Sequence, residues 1–312
     1  MTVKASFKQK NSYFSTLLSL FCLSLAAIMI FWGEKIKEGI ISGLSFSFMT
    51  LIPTLFPFFI LSDLWTSCFT VKENGLFCRL FEWLFGVNGC AITAFLSGLV
   101  CGFPIGVKAA SELYHANKIS KDEFEHLCGF VNNPSVAFII SGVGVGIFGN
   151  ISLGIMLYIS VVLSSIAVGI LFRSRKTVRA NSTHILRQSF DLVNSIKAAG
   201  LTSIAVASYI IFFSGIIGMC SSFVHNEAIL SLISSILEVG SATKLIGSAA
   251  GLSPFLRLIF SAFALGFSGL SVHLQALSFF PVNASKGKYF IMKLLQGMIS
   301  ALFMAVQALI FP

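Results

Sequence analysis

Apolar residues occur along this chain in stretches that are long enough to cross a membrane. A helix needs roughly 17 to 25 mostly apolar residues to span the hydrocarbon core of a bilayer. Stretches of this kind cover residues 14–33, 43–61, 146–172, 201–224 and 290–310. The pattern predicts an all-α polytopic integral membrane protein.

Glycine and proline interrupt the apolar pattern at two further places, one in each half of the chain. The first is residues 102–108, GFPIGVK, and the second is residues 266–275, GFSGLSVHLQ. Non-helical backbone persists at membrane depth where protein or a water-filled cavity satisfies its polar groups. Paired breaks are typical of transporters whose site lies between inverted-topology repeats. We therefore expect re-entrant or broken helices that meet near the middle of the membrane.

The sequence divides into four parts on this basis. They are an N-terminal signal-anchor helix with a short loop, a first membrane repeat, a basic linker and a second membrane repeat, at residues 1–38, 39–172, 173–187 and 188–312. Gly102 and Gly266 are 164 positions apart, and Phe124 and Phe290 are 166 positions apart. This near-equal spacing predicts that the two broken segments are equivalent.

Positive charge predicts a cytoplasmic position for the N-terminus and for the linker. The net charge is +9, and residues 173–197 carry six Lys or Arg residues and one acid. Basic loops of membrane proteins lie on the cytoplasmic side. In the resulting trace, residues 266–275 are re-entrant and the last helix runs inward. Lys286 and Lys288 would then lie outside, against the trend of charge.

Composition narrows the functional class. Apolar residues make up 56% of the chain and charged residues 11%, with a mean hydropathy of +0.91, whereas soluble domains carry about 25% charged residues. Because the positive charges flank apolar spans, we expect a lipid bilayer and no nucleic acid as partner. The seven cysteines form no Cys-x-x-Cys pair, and no phosphate-binding loop or hydrolase motif is present. We therefore expect no metal, no cofactor and no enzymatic activity.

Lys108 is the residue that the sequence makes most prominent for binding. A lysine at membrane depth costs about 2.5 to 3.5 kcal/mol on insertion scales and needs a partner or water. A transported anion would be such a partner. Gly102 and Gly106 allow close approach of backbone, and a helix that starts just after Pro104 would direct N–H groups at the same anion. The alternative is that Lys108 snorkels to an aqueous loop.

Polar side chains in apolar surroundings complete the predicted site. Asn132, Asn133 and Ser135 predict a second broken helix that supplies hydrogen-bond donors and acceptors. In the second half, the small or polar candidates are Ser268, Gly269, Ser271, His273 and Gln275. His273 could bind ligand, carry a proton or only fill a hydrogen bond. Glu238 could form an ion pair with a lysine, Lys108 or Lys244, or bind a coupling cation.

These motifs resemble those of the YlbJ family of sporulation integral membrane proteins, also called SpoVV, within the wider Gate or nucleoside-recognition group. The resemblance rests on LFPFF at residues 55–59, GFPIGVK at 102–108 beside a family pattern close to Gly-Tyr-Pro-x-Gly-Ala-Lys, the pair Asn132-Asn133, and SVHLQ at 271–275. It covers nearly the whole chain after the first helix. It implies a spore-forming bacterial source and a fold similar to that of concentrative nucleoside transporters.

The resemblance also implies a function, which is movement of dipicolinic acid from the mother cell across the outer forespore membrane during spore maturation. Lys108 would then hold a carboxylate of this planar dianion, and the amide and hydroxyl side chains named above would orient it. One alternative is a nucleoside or nucleobase permease, for which Lys108 should matter less than the amides. Another is a non-transporting scaffold of a sporulation membrane complex, because fold does not fix function. A homo-oligomer or sporulation membrane partners are compatible with each of them.

Overall fold

The computed structural model describes residues 12–68, 75–173 and 191–310, and within these ranges the regular secondary structure is helical. The α-helices are α1 (Ser12–Phe31), α2 (Gly33–Phe46), α3 (Ile52–Cys68), α4 (Leu76–Phe85), α5 (Ile92–Cys101), α6 (Ile105–His115), α7 (Lys121–Val131), α8 (Ile151–Leu171), α9 (Leu192–Cys220), α10 (Glu227–Leu237), α11 (Val239–Ser248), α12 (Pro254–Phe267), α13 (Gly269–Leu277) and α14 (Lys286–Ile310). Wider π-helical turns cover Ser47–Leu51 and Phe138–Val145. The prediction of an all-α fold is confirmed. The predicted basic linker lies outside the described residues except for Arg173.

Several helices are long and apolar enough to cross a bilayer. In the described part of the chain there are four candidate spans: Ile151–Leu171, Leu192–Cys220, Pro254–Leu277 and Lys286–Ile310. Two bent pairs, Gly33–Leu51 with Leu55–Leu61 and Leu76–Phe85 with Gly89–Cys101, raise the number to as many as six if each pair is one span. The protein is therefore a multi-pass integral membrane protein. Hydropathy alone missed the span 254–277, because its break and Arg257 divide the apolar run.

The two halves of the chain contain a similar series of elements, and the first half has α4 in addition. In the first half, the bent helix α2–α3 and the short helix α4 are followed by a hairpin of the short helices α5 and α6. A broken helix comes next, made of α7 and residues 136–145, and α8 closes the half. In the second half, α9 is followed by the hairpin α10–α11, the broken helix α12–α13 and the closing helix α14. The division into two membrane repeats at residues 39–172 and 188–312 stays a prediction.

The structure corrects which breaks correspond to each other. The tip of the first hairpin is at Gly102, and the tip of the second is at Glu238, 136 positions later. The break in the first broken helix begins at Asn132, and the break in the second is at Ser268, again 136 positions later. The predicted equivalence of Gly102 with Gly266 was wrong. It matched a hairpin tip with a broken helix because both carry a glycine-rich signature.

The direction of the last helix also differs from the prediction. Helix α14 packs antiparallel to α8: near the end of α14, the Gln307 side chain donates to the Met156 carbonyl oxygen at 3.3 Å and to Ser160 Oγ at 2.7 Å, in the first half of α8. The other end of α14 lies beside α7, because the Ser285 N–H donates to Glu125 Oε1 at 2.6 Å. Helix α7 in turn meets the end of α8 through a 2.9 Å contact of His126 Nε2 with the Gly169 carbonyl oxygen.

Lys286 and Lys288 therefore lie at the end of the molecule that carries Arg173, which we call the Arg173 end. The predicted trace, with a re-entrant segment at residues 266–275 and an inward last helix, does not fit this arrangement, because residues 254–277 are together long and apolar enough to be one candidate span. The hairpin of the second half consists of α10 and α11, which are both shorter than a membrane span. This placement removes the conflict between these two lysines and the trend of positive charge.

Side-chain caps determine where many of the helices begin. Asn150, Asp191, Asn226 and Ser253 each accept backbone N–H groups in the first turn of the helix that follows them. Ser120 forms a reciprocal capping box with Glu123 at the start of α7. Caps of this kind satisfy N–H groups that have no partner within the helix. Helices α6 and α13 lack a side-chain cap, and both begin next to the cavity described below.

Candidate functional site

A cavity lies where the two hairpin tips meet the two broken helices. Its empty space, measured out to the open mouth, is about 460 Å³, and its enclosed part has room for a few water molecules. The small or polar residues that the sequence singled out on its wall are Gly102, Ser135, Glu238, Ser271 and Gln275. The larger apolar residues of the wall are Leu51, Leu55, Phe59, Phe103, Phe138, Val206, Ile210, Val239 and Val272. The prediction that the broken segments meet at one site agrees with this geometry.

The first hairpin tip packs directly against the break of the first broken helix. Gly102 has φ +83° and ψ −172°, a conformation that essentially only glycine adopts. A Cβ atom on Gly102 would lie 2.6 Å from the backbone nitrogen of Ser135. Pro104 is the residue before α6, and a Cβ atom on Gly106 would overlap the carbonyl oxygen of Val131. The glycines are therefore needed because backbone meets backbone here.

The second hairpin tip is built in the same way around Glu238. This side chain is 1% exposed and caps α11, accepting backbone N–H groups of Gly240 and Ser241. Ser268 (φ +79°) and Gly269 (φ +78°) form the break that faces it. A Cβ atom on Gly269 would lie 3.2 Å from Glu238 Cα. The carboxylate is thus held by the start of α11 and lines the cavity without an ion-pair partner among the described residues.

The first turns of α13 supply the hydroxyl and the amide of the cavity. Ser271 is 1% exposed, and its Oγ has no hydrogen-bond partner. A buried hydroxyl without a partner costs free energy unless a ligand or water satisfies it. Gln275 lies one turn further along the same wall. Because α13 has no side-chain cap, its first N–H groups and the Ser271 hydroxyl together form a group of donors beside the cavity.

A buried lysine, Lys293 on α14, binds the backbone at the break of the first broken helix. Its ammonium donates to the carbonyl oxygen of Asn132 at 2.7 Å and to Gln296 Oε1 at 2.8 Å. Gln296 Nε2 donates to Asn133 Oδ1 at 2.6 Å. Lys293, Gln296 and both asparagines are 0% exposed. In the part of the chain that the structure describes, Lys293 has no carboxylate partner.

Tyr289 extends this network to the second broken helix. Asn132 Nδ2 donates to the Tyr289 hydroxyl at 2.8 Å, and the same hydroxyl contacts His273 Nδ1 at 2.9 Å. His273 is 0% exposed, and its Nε2 has no partner. Asn133 is fixed further by the Phe130 carbonyl oxygen, 2.8 Å from its Nδ2. The network therefore connects both broken helices to α14.

The structure divides the predicted binding residues into groups. Ser135, Ser271 and Gln275 line the cavity, as does the backbone of Gly102. Pro104, Gly106, Ser268 and Gly269 shape the backbone around it. Asn132, Asn133 and His273 belong to the buried network and are not among the residues that line the cavity.

Lys108 is placed differently from the sequence expectation. Its side chain is exposed on α6 and is not part of the cavity wall. Glu112 and His115 lie on the same exposed face, four and seven positions further on, whereas Val107 and Ala110 are buried. The alternative given above, that Lys108 reaches an aqueous environment, fits this placement better.

Sequence reasoning missed the residues of α14. Residues 290–310 counted there as an apolar run, although Lys293 and Gln296 interrupt it. With Tyr289 and Ser300 they form a polar stripe at spacings of four, three and four, all on the buried face. Ionisable residues inside a span face the protein interior and mark function or partners. This stripe was the sequence signal from which the buried polar residues of α14 could have been predicted. No group of three His, Cys, Asp or Glu residues in the described ranges is placed to hold a metal.

These features define a class of protein: a multi-pass, all-α membrane protein whose two similar halves surround a shared cavity with hairpin tips and broken helices. The chain is 30% identical to the sporulation integral membrane protein YlbJ of Bacillus subtilis (strain 168), in an alignment of 334 positions that covers 92% of this chain and 81% of YlbJ. The chain belongs to the YlbJ family. No family model and no solved structure matches the chain, so the similarity to nucleoside transporters stays a prediction.

Proposed function

We propose that this protein is a transporter that carries a small organic anion across a membrane through the cavity between the hairpin tips. The observation that carries this proposal is the uncapped start of α13, where the buried Ser271 hydroxyl has no partner and lines the cavity. Donors that are buried without acceptors favour a ligand that brings acceptor atoms. A carboxylate is such a ligand.

Helix ends give the cavity a preference for negative charge. Four short helical segments begin beside it: α11, α13 and the segment after Ser135, each with residues that line the cavity, and α6, which follows the lining residue Phe103 by two positions. Glu238 caps α11, and the Ser135 hydroxyl accepts the Phe138 N–H at 3.1 Å. The starts of α6 and α13 have no side-chain cap, and of these the first N–H of α6, on Ile105, donates to the Gly102 carbonyl oxygen at 3.0 Å. Free N–H groups at a helix start, together with the helix dipole, stabilise anions.

The motifs that this chain shares with the YlbJ family favour dipicolinate as the anion. Dipicolinate is a small planar dianion with a carboxylate at each end, so one carboxylate can meet Ser271 while the ring contacts apolar wall residues. We infer that the protein moves it from the mother cell toward the forespore and resides in the outer forespore membrane. The narrow cavity supports an alternating-access cycle, because the hairpin tips must separate before a ring can enter.

A nucleoside or nucleobase is the second candidate, and one observation favours it. No lysine or arginine is among the residues that line the cavity, whereas Gln275 and Ser271 offer neutral donors and acceptors. A neutral base would not be repelled by Glu238. An anion requires Glu238 to be protonated or fully satisfied by the start of α11. The two ligands are therefore separated by experiment.

The test is uptake of labelled dipicolinate and labelled uridine into liposomes that contain the purified full-length protein. We expect dipicolinate uptake above that of protein-free liposomes, and a loss of at least about tenfold in Ser271→Ala, because a hydrogen bond to a charged ligand is worth about 1.5–3 kcal/mol. Ser208→Ala is the matched control, since Ser208 is exposed on α9.

Each of the other results points to a different function. Uptake of uridine but not of dipicolinate would replace the anion transporter by a nucleoside permease. Uptake of neither by well-folded protein would favour a scaffold in a sporulation membrane complex. Equal uptake by Ser271→Ala and wild type would mean that the substrate does not pass through the cavity.

A further inference from the structure

A second, polar groove lies on the other side of the Glu238 tip. It lies where α2 meets the last turns of α9, and we call it the serine groove. It opens at the end of the molecule opposite Arg173, because Gly247, between two of its lining residues, contacts Ile147 just before the start of α8. Its empty space is about 730 Å³, measured out to solvent. It is lined by the hydroxyl residues Ser42, Ser214, Ser221, Ser241 and Ser248, by the charged residues Lys35, Glu38 and Lys244, and by apolar or glycine residues between them.

The packing of α2 on α9 explains why a groove remains open here. Cβ atoms on Gly39 and Gly218 would overlap the backbone of the facing helix. A Cβ atom on Gly43 would lie 2.7 Å from Ser214 Oγ. Small residues let two helices approach closely and leave space beside the line of contact. Helices α10 and α11 border that space and fill it only in part.

The charges of the serine groove leave one cation without an acidic partner. Lys35 and Glu38 form an ion pair of 2.7 Å on the same helix face. Lys244 donates to Ser42 Oγ at 3.2 Å, and among the described residues no carboxylate pairs with it. Lys244 is exposed. Its ammonium therefore has one hydroxyl acceptor, and its other N–H donors are open to solvent or to a ligand. A lysine in this state attracts anions into a concave site.

Only one layer of protein separates the serine groove from the cavity. Ser241 lines the groove, while its backbone N–H donates to Glu238, which lines the cavity. Ser214 and Ser241 join their hydroxyls at 2.7 Å in the same layer. Phe46 also lines the groove, and a Cβ atom on Gly240 would lie 2.7 Å from the Phe46 ring. Movement of this layer would connect the two spaces.

We propose that the serine groove is an anion-binding vestibule of the transport pathway, and that Lys244 determines its selectivity for small carboxylates. The inference rests on the proposed function and adds a second binding site to it. A carboxylate in the groove meets the Lys244 ammonium and neighbouring hydroxyls, which suit its oxygen atoms. By the proposed direction of transport the groove is on the exit side, because it lies opposite the Arg173 end, which is predicted to face the cytoplasm of the mother cell. The anion passes from the cavity into the groove when the layer of Phe46, Ser241 and Glu238 opens.

The test is the KM of dipicolinate uptake in the reverse of the proposed direction, with substrate offered at the end that carries Lys35 and Lys244. A tag after α14, which ends on that side, reports the orientation of the protein in the liposomes. We expect Lys244→Gln to raise KM by about threefold to tenfold with little change in maximal rate, because the charge acts on capture. Lys244→Arg should retain the wild-type KM, and high ionic strength should reduce the difference between wild type and Lys244→Gln.

Lys286→Gln is the matched control, since Lys286 is exposed at the Arg173 end. An unchanged KM in Lys244→Gln, or an equal rise in Lys286→Gln, would overturn the vestibule while dipicolinate transport by wild type continues. An equal rise in the KM for uridine would overturn the assigned selectivity for carboxylates. Absence of dipicolinate transport in wild type would overturn the proposed function and, with it, this inference.

Discussion

Replacing Gly102 by alanine is predicted to destabilise the protein much more than the same replacement at Gly149. Both glycines have positive φ, +83° and +65°. They differ in their surroundings, because a Cβ atom on Gly149 would have no atom within 4 Å. On Gly102 it would lie 2.6 Å from Ser135 N and 2.8 Å from Ser135 Cβ. The pair therefore separates the effect of backbone conformation from the effect of crowding.

The structure gives a magnitude for each replacement. For Gly149→Ala, positive φ costs about 1–2 kcal/mol. For Gly102→Ala, the backbone region costs about 1–3 kcal/mol, and pushing the hairpin tip away from the break costs about 1–3 kcal/mol more. The free energy of unfolding should therefore fall by about 2–6 kcal/mol for Gly102→Ala.

The assay is an unfolding titration of both variants in detergent, together with dipicolinate uptake in liposomes. Gly149→Ala should retain uptake, since residue 149 lies in the turn before α8 and away from the cavity. Gly102→Ala should lose uptake even where it folds, because its side chain would separate the tip from Ser135. Equal losses of stability in the two variants would refute the claim that backbone contact at Gly102 organises the site.

Three further replacements test other parts of the site. Lys108→Ala should change dipicolinate uptake by less than twofold, which corresponds to about 0.4 kcal/mol, because its side chain is exposed outside the cavity. A large loss of uptake would support the expectation from sequence that Lys108 holds a carboxylate. Tyr289→Phe should lower the free energy of unfolding by about 1–3 kcal/mol, because buried Asn132 Nδ2 loses its acceptor. Lys293→Met removes the donor to the Asn132 carbonyl and should also destabilise the protein in unfolding titrations, by about 1–3 kcal/mol for each acceptor left unpaired. An equally stable Lys293→Met protein would mean that burying the ammonium costs as much as its hydrogen bonds contribute.

The sequence predicted where the chain breaks but not which breaks correspond. Gly102, the asparagine pair at 132–133 and Ser268 with Gly269 were all recognisable, because such residues inside apolar runs leave backbone groups to be satisfied. The second hairpin tip carries an acid at Glu238 where the first carries a glycine. Because the two tips differ in composition, the sequence did not show that they are equivalent. Their equivalence depends on how the helices pack.

The sequence also did not predict which lysine side chains point into the protein and which point outward. Both Lys108 and Lys293 lie in apolar surroundings along the sequence, and local hydropathy does not distinguish them. Their neighbours do: Lys108 shares a stripe with exposed Glu112 and His115, whereas Lys293 shares one with buried Gln296. Reading the helical period around each polar residue would have placed the first outside and the second inside.

The central claim is that a small organic anion binds in the cavity between the hairpin tips. The most direct measurement is equilibrium binding of labelled dipicolinate to purified wild-type protein and to Gln275→Ala. We predict saturable binding by wild type that uridine does not displace, and affinity at least about tenfold lower in the variant, the loss expected for one hydrogen bond to a charged ligand. Equal affinity in the two proteins would contradict the claim.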